Sequence, residues 1–222
     1  MRVLRDRVVR AREMHDVAIV MRALHETIGR TTERLRGVVV DCDVGCWFCC
    51  TRWVDAKVPE ILYLARDVGR RRDLKAATEA GFATFGQLDY AARKTEVTPC
   101  PMLVDQRCSV YQKRPIPCRA AVSRDAGACQ QSFLHTNGPI PRPQVFTVVG
   151  AAYSLALTGA LWSAGLDHRA YELTGAIHRA MTTDDVERRW LAGEDVFAGV
   201  RRRDGDLLDD PNYKSIVEEA FS

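Results

Sequence analysis

Apolar residues recur at helical spacing through the first 36 positions, at Val9, Met14, Val17, Met21, Leu24 and Ile28, with charged residues between them. A period near 3.6 predicts one long amphipathic helix, with a break expected near Thr31-Thr32. A short apolar run, Val38-Val39-Val40, follows it. Pro59 suits the first turn of a helix that Ile61, Leu62, Leu64 and Ala65 carry to about residue 71. A second predicted helix spans 73–93, and the two together form a helical insert over 58–93. Between 99 and 143 the periodicity fades, and Pro99, Pro101, Pro115, Pro117, Pro139, Pro141 and Pro143 punctuate the chain. Such a stretch is unusual in a compact domain unless it serves function or is tied down by something else. Helical pattern returns at 145–166, then at 168–181, at 184–191 with Thr182-Thr183 as cap candidates, and at 213–221.

The segment 145–166 holds 22 residues without a charge, long enough to cross a bilayer. Thr147, Gly150, Ser154, Thr158, Gly159, Ser163 and Gly165 keep its transfer free energy marginal. A helix apolar on all sides is also what the centre of a bundle needs, so the segment reads as a buried helix and no membrane is expected.

These elements predict a mainly α fold, a helical bundle with a cysteine-rich, Pro-rich metal-binding loop region. At 222 residues the chain fits a single domain over 1–222. Within it, 42–130 forms the cysteine-cluster region around the insert, and 144–222 a C-terminal helical part. Basic and acidic residues number 32 and 29, a net charge of +3 that gives no global field for nucleic acid. The runs Arg70-Arg71-Arg72 and Arg201-Arg202-Arg203 are each followed by an aspartate and read as solvated helix ends or loops. The first residues lack the uninterrupted apolar core of a secretory signal, so a cytoplasmic location is expected.

That compartment bears on the eight cysteines. The cytosol keeps thiols reduced, and a chain of this size hides enough surface to fold without staples, so metal or redox chemistry explains them better than disulfides. The first group is Cys42, Cys46, Cys49 and Cys50. If helical, at roughly 100° per residue its four sulfurs share one face; if a loop, Cys46-x-x-Cys49 is a two-ligand chelating arm. The adjacent pair Cys49-Cys50 diverges from its shared backbone, which suits a multinuclear site or two sites sharing one loop, and Gly45 allows a sharp turn between ligand pairs. The second group, Cys100, Cys108, Cys118 and Cys129, is spaced too irregularly for a zinc ribbon, yet thiolates on loops can converge on zinc, copper(I) or an iron–sulfur cluster. The alternative for some of the eight, Cys129 above all and the clustered first four least, is an ordinary buried cysteine packed as a small hydrophobe.

Cys42-x3-Cys46-x2-Cys49-Cys50, then Cys100-Pro101-Met102-Leu103, then Cys108-Ser109-Val110-Tyr111-Gln112-Lys113-Arg114-Pro115 and Cys118-Arg119, resembles the YkgJ-type cysteine-cluster family, described as a zinc- or iron-chelating domain. The resemblance covers residues 42–130. It implies Cys42, Cys46, Cys49, Cys50, Cys100, Cys108 and Cys118 as metal ligands, with Cys129 a further candidate, and zinc or iron, including iron as an iron–sulfur cluster, as cofactor. Some relatives carrying such a pattern are thought to be flagellin lysine N-methylases. Arg114 and Arg119 are expected to offset thiolate charge, Tyr111 to cover the site, and Pro115 and Pro117 to stiffen the loop.

Among the histidines only His135 lies near a cysteine group, and His15 and His25 read as exposed or locally satisfied. No phosphate-binding glycine loop, nucleophile elbow or HExxH zinc motif is present. Three functions follow: a metal-binding protein, an iron–sulfur enzyme of methyl-transfer or redox type, or a metal-shaped module for a protein partner. The first is favoured, and whether the chain is an enzyme stays open.

Overall fold

Where the periodicity predicts one continuous helix, the chain turns. In the computed structural model, which describes residues 2–43, 45–86, 88–136, 138–203, 205 and 207–221, α1 (Arg2–Met14) ends before α2 (Ala18–Arg34) begins. His15 takes a left-handed φ of +52°, and Asp16 Oδ1 accepts from the Ala18 N–H at 3.0 Å. The turn aims Asp16 at Arg66, 2.7 Å away, and lets the Val17 N–H donate to Glu187 Oε1 at 2.7 Å. It also resets the helical phase. Val17, Met21, Leu24 and Ile28 are buried as the period requires, whereas Val9 and Met14 are exposed and Val8 and Ala11 take the core positions of α1. The expected break at Thr31-Thr32 does not occur, because both hydroxyls donate back into the helix, to the carbonyls of Thr27 and Ile28.

The next elements form the centre of the molecule. A short strand, β1 (Asp55–Lys57), runs directly into α3 (Val58–Arg70), with Pro59 in the first turn as predicted. Ile61, Leu62, Leu64 and Val68 bury one face of α3 completely. The helix expected over 73–93 divides into α4 (Arg72–Phe85) and α5 (Tyr90–Thr95), the second restarted by Asp89, whose carboxylate accepts from the Ala92 N–H at 2.8 Å.

The proline-punctuated stretch is built of small elements. β2 (Leu103–Val104) and β3 (Arg107–Cys108) form a hairpin turned by Asp105 and Gln106, both at positive φ. Then come α6 (Ile116–Ala120), α7 (Ala126–Gln131) and a π-helical turn, Ser132–Thr136. The His135 side chain lies outside what the structure describes.

The C-terminal part supplies α8 (Gln144–Ser163), the strand β4 (Ala170–Glu172), α9 (Leu173–Thr182), α10 (Val186–Leu191) and α11 (Pro211–Phe221). The predicted helix over 168–181 thus begins as a strand, because residues 170–172 pair antiparallel with β1, Ala56 opposite Tyr171. Thr182 and Thr183 do not cap α10; Asp185, at φ +49°, precedes it, and the Thr182 hydroxyl bonds back to the His178 carbonyl. β1–α3 and β4–α9 are thus two strand–helix units, with strand paired to strand and α3 packed along α9. α2 and α4 flank α3, and α1, α6 and α11 lie against α8. One hydrophobic cluster runs from Val8 to Phe197 through these contacts.

α8 is long and apolar enough to cross a membrane by length and composition. Its burial is uneven: Leu157 to Leu161 lie in the core, while Val148 is 56% exposed. The expectation of a buried helix therefore describes only its C-terminal half. Where α8 meets α6, Gly150 has no side chain to hold them apart, and a Cβ there would lie 2.5 Å from Ala120 Cβ. Gly150→Ala should lower the melting temperature, although alanine favours an isolated helix by up to about 1 kcal/mol; an unchanged or raised melting temperature would show that α6 gives way freely.

His25, expected to be exposed or locally satisfied, packs edge-to-face on Tyr63 with ring centroids 5.7 Å apart, and its Nε2 has no hydrogen-bond partner among the described residues. Burial, reinforced by the charges of Arg119 and Lys113, pushes its pKa down from 6.5 to about 4. The folded state therefore binds the proton less well than the unfolded chain. This contribution is complete above pH 6.5 and is lost as pH falls toward 4. His25→Phe keeps the ring and should flatten the decline in urea midpoint between pH 6.5 and 5; an equally steep decline in the variant would remove His25 from the account.

Candidate metal centre

The first cysteine arm is a loop and not a helix. Gly45 takes φ +99°, a conformation that side-chain-bearing residues rarely adopt, and the Cys46 N–H closes a turn onto the Asp43 carbonyl at 3.0 Å. One turn of 3₁₀ helix, Phe48–Thr51, then carries Cys49 and Cys50. Residue 123 anchors the start of the arm: the Asp41 N–H donates to the Ser123 carbonyl at 2.8 Å, and the Ser123 N–H donates to Cys42 Sγ at 3.1 Å.

The second group is brought to the first by backbone. The Cys100 N–H donates to the Cys50 carbonyl at 2.7 Å. Cys108 sits opposite Leu103 in the hairpin that follows. Cys118 lies in α6, whose start is fixed by Glu60 of α3: Oε1 accepts from the Ile116 N–H at 2.7 Å and Oε2 from the Lys57 N–H at 2.8 Å. Cys129, on α7, is buried, the other seven cysteines are half-buried, and all eight are free thiols.

Around these thiols lie two adjoining chambers. A cavity of about 650 Å³ is lined by Cys46, Cys49, Cys50, Cys100, Cys108 and Cys118. A crevice of about 10 Å³, room for roughly one water, is lined by Cys42, Cys46, Cys49 and Cys129. Cys46 and Cys49 border both. The thiols are neighbours without being closed into a ligand shell: among the described residues, no three His, Cys, Asp or Glu side chains are grouped so as to hold one metal ion.

The electrostatics follow the same division. Burial, and then the proximity of Cys42, Cys49 and Cys129, push the Cys46 thiol up to about 11. Burial pushes Cys100 up to about 12 and Cys118 well above the ordinary thiol value, with Cys100 and Cys49 adding to the second shift. Burial raises Cys108 and Cys129 as well. Cys49 moves the other way. The Cys50 thiol donates to it, and the guanidinium groups of Arg114 and Arg142 favour its thiolate against burial; Cys50 rises correspondingly, because the adjacent pair shares one proton.

Of the residues expected to support the site, Arg114 lies close enough to act on Cys49, Cys108 and Cys118. Its guanidinium carbon stacks 3.5 Å from the Tyr111 ring centroid, so Tyr111 faces the arginine, and both line the cavity. Arg119 forms no surface salt bridge among the described residues. It clamps the loop instead, donating to the carbonyls of Arg114 and Gln112, with Cys118 near enough to feel its charge. Sequence reading missed Arg142, which acts on Cys49 and Cys129; Ser123, which touches Cys42 and Cys129; and Glu172, a buried cavity residue whose carboxylate accepts from the Thr174 and Gly175 N–H groups. It also took Arg203 for part of a solvated run, whereas Arg203 pairs with Asp55 and lines the cavity. None of these left a signal: even Glu172, which caps α9, lay inside the helix expected over 168–181, because the strand that precedes α9 could not be read.

Comparisons with protein-family models, with curated proteins and with solved structures each find no match. The shared proton of the Cys49–Cys50 pair sets an order of reactivity. In reduced, metal-free protein at pH 8, iodoacetamide should label Cys49 well before Cys100 or Cys118, as read by peptide mass spectrometry. Labelling of Cys100 or Cys118 first would contradict the charge arrangement around Cys49.

Proposed function

We propose that this chain is a cysteine-ligated metal-binding protein that holds zinc or iron, including iron as an iron–sulfur cluster. One observation carries the reading: eight free thiols from separate chain segments gather about two adjoining chambers, joined by backbone bonds and not by disulfides. A soft, sulfur-rich donor set suits zinc, copper(I) or iron–sulfur chemistry. The resemblance of the cysteine pattern to the YkgJ-type family narrows this to zinc or iron, and its seven cysteines all line one chamber or the other. Cys129 would complete the smaller set with Cys42, Cys46 and Cys49, while Cys50, Cys100, Cys108 and Cys118 would serve the larger with Cys46 or Cys49. Arg114 and Arg142 would offset the charge of the thiolates. Metal would supply a structural tie or a redox centre. Free thiols at this density also fit a reducing, cytoplasmic setting.

A second reading, an iron–sulfur enzyme, is favoured by the size of the larger chamber. A metal bound to thiolates at about 2.3 Å occupies only part of such a space, and about 650 Å³ leaves room for a substrate beside it.

Anaerobic purification followed by iron, zinc and sulfide analysis and an absorption spectrum tests the assignment. At least one equivalent of zinc or iron per chain is expected, with loss in Cys46→Ser and Cys49→Ser and increased protease cleavage within 99–143 after chelation. Folded protein that carries no metal, takes up neither ion and keeps eight titratable thiols would end the proposal.

A further inference from the structure

The larger cavity has a second chemical character besides thiol. Six arginines line it, Arg52, Arg93, Arg107, Arg114, Arg142 and Arg203, against two carboxylates, Asp43 and Glu172. Part of this charge is accounted for within the fold. Arg203 pairs with Asp55. Arg93 is buried near Glu172, whose oxygens already accept from backbone N–H groups. Arg52 donates to the carbonyls of Ser132 and Phe133, both at 3.1 Å.

Three guanidinium groups remain. Arg107 and Arg142 are exposed, at the rim. Arg114 has its guanidinium carbon 3.5 Å from the Tyr111 ring centroid and donates through Nε to the Tyr111 carbonyl at 3.1 Å, a bond that does not use its two Nη groups. Arg114 and Arg142 act on nearby thiols, whereas Arg107 is not among the main charges acting on any thiol whose pKa is displaced. Offsetting thiolate charge therefore does not account for all three. The rest of the wall is apolar, with Trp53, Met102, Phe133 and Leu173. A volume of about 650 Å³ with apolar walls and a few charged groups is the usual form of a small-molecule site.

We infer that this cavity binds a small organic anion, a carboxylate or phosphate ester with an apolar body, its charged end meeting Arg107, Arg114 and Arg142 and its body packing on Trp53, Met102 and Phe133. A guanidinium fork matches either headgroup through paired N–H donors, and Glu172, whose oxygens accept from backbone N–H groups, is already satisfied. The inference rests on the arginines and the volume, and it holds whether or not the thiols carry metal.

Phenyl phosphate and phenylacetate serve as probes, benzyl alcohol as the neutral control, and calorimetry with tryptophan fluorescence as the readouts. The protein is used as isolated and again after chelation, so that absence of metal and absence of anion binding are scored separately. At least one anion should bind with Kd below about 1 mM, the neutral control about tenfold more weakly or worse, with affinity falling as salt is raised. Arg107→Gln with Arg142→Gln, both at exposed positions, should weaken the anion at least about tenfold at unchanged circular dichroism. Arg114→Lys, which keeps the charge but not the fork, should give a smaller loss. The inference is overturned if neither anion binds, if benzyl alcohol binds as well as they do, or if the double variant retains wild-type affinity.

Discussion

A buried carboxylate ties the cysteine region to the central helix of the protein. Glu60 is 2% exposed, and burial alone drives its carboxyl toward the neutral form. Two backbone N–H groups from distant parts of the chain oppose that drive, one at the mouth of its own helix and one at the start of α6. A buried acid is tolerated when such donors satisfy it, and each donor would in turn be stranded without it. The same interaction therefore fixes where α3 begins and where the segment carrying Cys118 must lie. Glu172 repeats the device in the second strand–helix unit, capping α9 while facing the cavity. The thiol region thus hangs between two buried acids, each the anchor of a core helix.

The helical class and most of the elements could be read from periodicity because each helix buries a stripe of its own. The limits appear where tertiary contacts decide. The phase of α1 could not be read through α2, since the left-handed His15 resets it and Asp16, the local mark of that turn, fits the charged face of an unbroken helix equally well. Residues 170–172 read as helix because their strand character depends on β1, more than a hundred positions earlier. The segment 99–143 looked featureless for a related reason: a two-residue-per-strand hairpin and helices of five or six residues are too short to show a period.

At the candidate site the cysteines were legible as a group because their residue type is so rarely used without purpose. Their supporting residues were not. Arg142 lies in a proline-flanked loop, Ser123 in a run of small residues, and Arg203 in what reads as a charged surface tract; only the chain's path brings each to a sulfur or to the cavity. The two-chamber division was likewise hidden, since it depends on α7 returning Cys129 to the side of the arm that Cys42 occupies.

Cys46 and Cys49 form a party wall, common to both chambers and removable from neither alone. Any substitution there strikes two compartments at once, so phenotypes at these positions will look identical whether the protein has one inorganic centre or a pair. The genetic information that separates those cases sits at the outer walls, with Cys42 and Cys129 on one side and Cys100 and Cys118 on the other.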